Sequence, residues 1–277
     1  MKKIFIVVLL FLTACTANSN QKSILLVSTT STQDSGLLDV LLPVFTERTG
    51  YQVSLVATGS GQALKMAEEG NADVVLLHSP AAEKEFMEKG LGMDRRLVMH
   101  NDFIIVGPQS DPASLHTQAN AVDSFKAIFS SASIFVSRGD DSGTNVKELA
   151  LWKSAGLDPA GKPWYFETGQ GQGITLTVAS EKQAYALTDR GTFLAYKANL
   201  DLALLFENDP ILLNVYHVIT VNPQKWPKVN TEGAQAFADF ITSKEGQDII
   251  RDFGVKEYGQ PLFFADADKT DADLGLP

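Results

Sequence analysis

From residue 23 to residue 90 the chain repeats one pattern. A short apolar run is followed by a polar turn, and the turn by a segment of helical period. This alternation constrains the fold more than any other feature. A continuous apolar run of strand length must be buried on both faces, and a parallel sheet flanked by helices provides that. Residues 23–28 (SILLVS) are such a run. Residues 37–48 carry Leu38, Leu41, Leu42 and Phe45 on one helical face, with Pro43 as a local conflict and Gly50 as the stop. Strands follow at 51–57 and 73–77, and helices at 61–69 and 80–89, the last opened by Ser79-Pro80. Short strands are predicted at 97–100 and 102–106.

Gly107-Pro108 and Asp111-Pro112 then break the pattern. It restarts with helices at 121–129, 144–154 and 174–181 and strands at 133–136 and 164–167. An extended piece at 183–187, a strand at 212–221 and helices at 231–242 and 245–253 complete it. The tail from Ala265 is acidic and polar, and is expected to be loose at its end. The reading is an α/β chain of two lobes with a cleft between them. One lobe is 23–106 with 197–277, and the other is 107–196. Ligands of such folds sit at the carboxyl ends of strands.

The amino terminus is not part of that fold. Lys2 and Lys3 precede a short apolar run, and Leu12-Thr13-Ala14-Cys15 follows. This resembles a bacterial lipoprotein signal, which implies cleavage after residue 14 and lipid on Cys15, the single cysteine of the chain. Residues 15–22 read as a tether. The protein is then exported, to the periplasm or the outer face of the cell membrane, with the lipid as its membrane contact. The net charge of −10 argues against a nucleic-acid partner. It does not argue against a small anion held locally.

Three turns share one character. They are residues 28–36 (STTSTQDSG), 58–61 (TGSG) and 137–145 (SRGDDSGTN). Each follows an apolar strand and opens a helix. Free backbone N–H groups, glycine and hydroxyls at helix starts make an anion site when several converge, and Arg138 adds a planar cationic fork. Any one of these turns alone reads as ordinary capping. The loop Gly169-Gln170-Gly171-Gln172-Gly173 lacks a dinucleotide fingerprint and reads equally as a flexible turn or a ligand contact. The four histidines, His78, His100, His116 and His217, show no metal spacing and read as structural.

These turns, with Asn101-Asp102-Phe103 and Leu187-Thr188-Asp189-Arg190-Gly191-Thr192, resemble the tungstate-binding proteins of bacterial ABC importers, the Tup family. The resemblance implies a type II periplasmic-binding-protein fold. It implies a cofactor-free monomer that captures tungstate, and molybdate with it, for a permease with a cytoplasmic ATPase. It places Thr29, Thr30, Ser60, Arg138 and Thr144 at the oxyanion, with Ser142 as a further candidate. Residues Arg138, Asp140, Ser142, Gly143 and Thr144 also resemble the phosphate binders of ABC importers. A protonated phosphate gains from a carboxylate acceptor, whereas tungstate needs donors only. Asp140 decides between them: as an acceptor it means phosphate, and as an orienter of Arg138 it means tungstate. An exported hydrolase using Ser60 is the alternative from another class.

Overall fold

The computed structural model describes residues 22–276. In chain order the elements are β1 (Ser23–Thr29), α1 (Thr30–Asp34), α2 (Leu37–Thr49), β2 (Gln52–Thr58), α3 (Ser60–Glu68), β3 (Val74–Leu77), α4 (Pro80–Glu88) and β4 (Gly92–Gly107). Next come α5 (Ala121–Ser130), β5 (Phe135–Ser137), α6 (Gly143–Ser154), β6 (Tyr165–Glu167), α7 (Gln172–Glu181), β7 (Ala186–Asp189), α8 (Arg190–Tyr196) and β8 (Ala203–Phe206). The chain closes with β9 (Leu213–Val221), α9 (Thr231–Thr242), α10 (Lys244–Asp252), α11 (Val255–Tyr258) and β10 (Phe264–Ala265).

The apolar runs do what their composition requires. In β1 and β3 successive residues feed opposite faces of one sheet. Ile24, Leu26, Val74 and Leu76 pack with Phe45 of α2 and Phe237 of α9. Val27, Val75 and Leu77 pack with Ala63 of α3 and Phe86 of α4. A second body repeats the scheme around β4. Phe103 and Ile105 join Phe125 of α5 and Trp152 of α6 on one face. Ile104 and Val106 join Leu176 of α7 and Phe193 of α8 on the other.

The sheet order is β10-β4-β9-β3-β1-β2. The β1–β2 and β1–β3 pairs are parallel, whereas β3–β9, β9–β4 and β10–β4 are antiparallel. The sheet is therefore mixed, not mostly parallel. Residues 97–100 and 102–106 are not separate strands but parts of the continuous β4. The polar break His100-Asn101-Asp102 suggested a division. Instead each of its side chains finds a partner: His100 with Asp266, Asn101 with Asn214, and Asp102 with Arg190. Strand β4 thus runs from the first body, where it pairs β9, into the second, where it pairs β7 and β8. Residues beyond Tyr196 still pack with the second body. Leu202, Leu205 and Leu212 lie in the second core, and β8 hydrogen-bonds to β4 there.

The tail is anchored up to Leu274. Strand β10 pairs with β4, and Leu274 is buried against Leu97 and Val215. Asp271 accepts from Arg95 at 2.9 Å and faces His217 Nε2 at 2.9 Å. The acidic residues that suggested solvent are partly ion-pair partners. Pro43 is accommodated inside α2, whose apolar face still reaches the core.

Candidate anion-binding site

The register of the sheet brings the first turns together. Thr29 lies opposite Thr58 across β1 and β2, and Ser28 lies opposite Leu76 across β1 and β3. The carboxyl ends of three neighbouring strands therefore open side by side. At that edge stand Thr29 and Thr30, then Ser60 as the first residue of α3, and then His78.

Thr29 is 3% exposed and caps α1. Its Oγ1 accepts from the Thr32 amide at 3.2 Å and lies 2.6 Å from Thr32 Oγ1 and 3.1 Å from Ser31 Oγ. Thr30 is exposed and Ser60 half-buried. Helix α1 is too short to carry a useful dipole, so it offers hydroxyls and N–H groups. Helix α3 opens at Gly59 with no side-chain cap, which leaves its leading N–H groups free.

The third turn is built to present Arg138. Gly139 has φ +60, and a Cβ there would stand 2.7 Å from Glu167 Cβ, so the turn needs glycine. Buried Asn145 ties the loop together: its Oδ1 accepts from the Asp141 amide at 3.1 Å, and its Nδ2 donates to Ser137 Oγ at 3.2 Å. Ser142 caps α6 by accepting from the Asn145 amide at 3.3 Å. Its oxygen accepts in that cap, and its proton stays available to donate. Thr144, 7% exposed, sits one residue inside α6.

Arg138 is held by Asp140. Its Nε and Nη2 donate to Asp140 Oδ2 at 3.1 and 2.5 Å, while Asp140 Oδ1 accepts from the Ser142 amide at 3.2 Å. Burial pushes the Asp140 carboxyl up, but the bonds from Ser142 and Arg138 outweigh it and leave the pKa below the ordinary value. Asp140 is therefore a charged orienter with both oxygens engaged. Asp189, the second carboxylate near Arg138, is also committed: it accepts from Thr192 N at 2.7 Å and Thr192 Oγ1 at 2.8 Å. Its pKa is raised by burial, against those bonds and the charge of Arg138.

The two sides of the site meet through His78 and Tyr216. His78 Nε2 lies 3.1 Å from Thr29 Oγ1 and 3.3 Å from Ser31 Oγ. The ring packs on Tyr216 at 4.8 Å between centroids, and its Cε1 approaches Gly143 of α6. Burial pushes the His78 pKa down to about 4, against the field of Glu83, so the ring is neutral near pH 7. The Ser60–His78 pair that a hydrolase would use is not formed, because His78 faces Thr29 and Ser31 instead. Asn145, Asp189, Tyr216 and His78 were not read as site residues. Asp189 had a signal, since Thr192 three residues later fits a helix cap. Tyr216 had none within an apolar strand.

The glycine loop packs on the third turn through its backbone: Thr168 N donates to Ser137 O at 3.0 Å, and Gly169 N to Arg138 O at 2.7 Å. Among the described residues no cluster of histidine, cysteine, aspartate or glutamate could hold a metal ion. His100, His116 and His217 each face carboxylates. Cys15 and the predicted signal segment lie outside the described residues.

Comparison with known proteins places this arrangement. A model described as a PBP superfamily domain matches residues 16–245. The chain is 50% identical over 249 residues to the tungstate-binding protein TupA of Peptoclostridium acidaminophilum, covering 89% of this chain and 87% of that one. The chain belongs to the PBP superfamily, and within it to the TupA family. Solved structures of the family agree. The TupA tungstate-binding protein of Desulfovibrio alaskensis G20 superposes with a TM-score of 0.82 at 41% identity, covering 89% of this chain and 99% of that one. The tungstate ABC transporter structure from Geobacter sulfurreducens gives a TM-score of 0.72 at 47% identity, covering 83% of this chain and 98% of that one.

Proposed function

We propose that this protein captures tungstate outside the cytoplasm and delivers it to an ABC importer. The observation that supports the reading is the engagement of the carboxylates beside Arg138. On this reading the hydroxyls of Thr29, Thr30, Ser60 and Thr144, N–H groups of α3 and α6, and the Arg138 guanidinium are the donors to the anion. The carboxylates beside Arg138 are taken by Arg138, Ser142 and Thr192. Such a lining suits an oxyanion that carries no proton and offers little to hydrogen phosphate. The family at 50% identity supports the same ligand. Ser142, which caps α6 with its oxygen, is a further candidate donor through its hydroxyl proton.

The mechanism is binding with closure and involves no chemistry on the ligand. The proposed lobes are 23–102 with 213–276, and 103–212, joined by β4 and the return into β9. An anion that contacts Thr29 and Ser60 on one side and Arg138 and Thr144 on the other favours the closed state by those differential contacts. Molybdate, of the same shape and charge, is the expected second ligand. Lipid on Cys15 would hold the protein at the membrane. Among the described residues no helix is long and apolar enough to cross one.

Calorimetric titration with tungstate, molybdate, sulfate and phosphate tests the reading. Tight tungstate and molybdate binding with weak sulfate and phosphate binding is expected. Tight phosphate binding with silent tungstate would refute it. Acylation of Cys15, read by mass spectrometry of the membrane fraction and lost in Cys15→Ala, tests the anchor.

A further inference from the structure

We propose that His78 is a positioning residue of the oxyanion site: it orients the hydroxyls of Thr29 and Ser31, and it is the surface on which the α6 turn seats at Gly143. The proposal rests on the oxyanion reading above. A hydroxyl has one proton and rotates freely, so it donates to an anion only if that proton is not spent elsewhere. Thr29 Oγ1 has Thr32 N, Thr32 Oγ1 and Ser31 Oγ within reach, and nothing in α1 alone fixes where these protons point. His78 Nε2, at 3.1 Å from Thr29 Oγ1 and 3.3 Å from Ser31 Oγ, bonds to this cluster from the cleft side. Its partnership decides which proton remains for the ligand.

The adjacent Cε1 edge of the same ring approaches the start of α6. A Cβ on Gly143 would stand 3.0 Å from His78 Cε1, a separation tighter than ordinary packing. Glycine at the start of α6 is therefore what lets the ring approach the leading N–H groups of that helix. Tyr216 backs the ring at 4.8 Å, which keeps it from retreating. The ring is neutral, so it adds no charge to compete with Arg138. Its contribution is geometric, and it links the hydroxyl turn of one body to the helix start of the other.

The test is calorimetric titration of the whole protein with tungstate, using His78→Leu, His78→Gln, Gly143→Ala and the double variant Gly143→Ala/His78→Leu. His78→Leu should weaken tungstate about tenfold or more, the scale of a lost bond supporting a charged ligand. His78→Gln, whose amide can reach the same hydroxyls, should recover most of that loss. Gly143→Ala should also weaken binding, because the added methyl pushes the His78 ring from its place. In the double variant the two losses should overlap, because the contact is already gone. His78→Leu binding like the wild type, or strictly additive losses, would overturn the proposal. Should His78→Leu not fold, Gly143→Ala alone still decides, since unchanged tungstate affinity contradicts the seating contact. A wild type that binds tungstate while these variants bind equally well removes His78 only. A wild type silent to tungstate removes the oxyanion reading itself.

Discussion

At the residue scale the site depends on how each charge is held. Arg138 is useful because Asp140 fixes its plane, so the pair should fail together. Arg138→Lys keeps the charge but loses the fork. Tungstate affinity in that variant should fall by roughly tenfold to a hundredfold, as measured by calorimetry. Asp140→Ala should also weaken binding, although it removes a negative charge beside an anion. Stronger binding in that variant would show that Asp140 repels the ligand and does not orient Arg138. Glu148 gives a second prediction. It is buried one turn beyond Thr144 and accepts from Trp152 Nε1 at 3.0 Å and Tyr165 Oη at 2.8 Å, both neutral donors. Burial raises its pKa from an ordinary 4.5 to about 7. The folded protein therefore holds a proton that the unfolded chain has released between those values. Stability from this group is full below about pH 4.5 and declines as pH rises toward 7. Glu148→Gln should raise stability near pH 8 by up to about 3 kcal/mol and change little at pH 4. Denaturant melts at the two pH values check it.

At the element scale most of the architecture was legible. The runs 23–28 and 73–77 had to be buried strands, and Gly50 and Gly70 marked helix ends where left-handed backbone is needed. The turns at 28–36, 58–61 and 137–145 stood out because their hydroxyls and glycines had no packing use. What was not legible depended on distant partners. Strand β4 was divided at His100-Asn101-Asp102 because polar residues in a buried strand need partners from Asp266, Asn214 and Arg190, which no local pattern reveals. The anchoring of the tail at Asp271 was not legible for the same reason. Asp271 closes a cluster with Arg95, His217 and Glu83, in which Glu83 Oε2 lies 3.1 Å from Arg95 Nη2 and 2.9 Å from His217 Nδ1. Glu83→Ala would remove one of the two carboxylates paired to Arg95 and leave Asp271 as the other. It should cost about 1–3 kcal/mol of stability in denaturant unfolding, with tungstate affinity of the folded fraction preserved. His78 was read as a satisfied structural histidine, and sequence could not show that its ring spans the cleft.

At the scale of the whole molecule, the proposal divides the oxyanion donors between two bodies joined through β4 and the return into β9. Tungstate should therefore compact the protein in solution. Small-angle scattering should show a smaller radius of gyration with tungstate than without it, and Arg138→Lys should blunt that change. The central claim is that one oxyanion sits between the hydroxyl turns of the first body and the arginine turn of the second. Tungsten scatters anomalously, so diffraction from crystals grown with tungstate locates it without ambiguity. The account predicts a single strong peak within hydrogen-bond reach of Thr29, Ser60, Arg138 and Thr144. A peak elsewhere, or none between these turns in a protein that binds tungstate in solution, would contradict it.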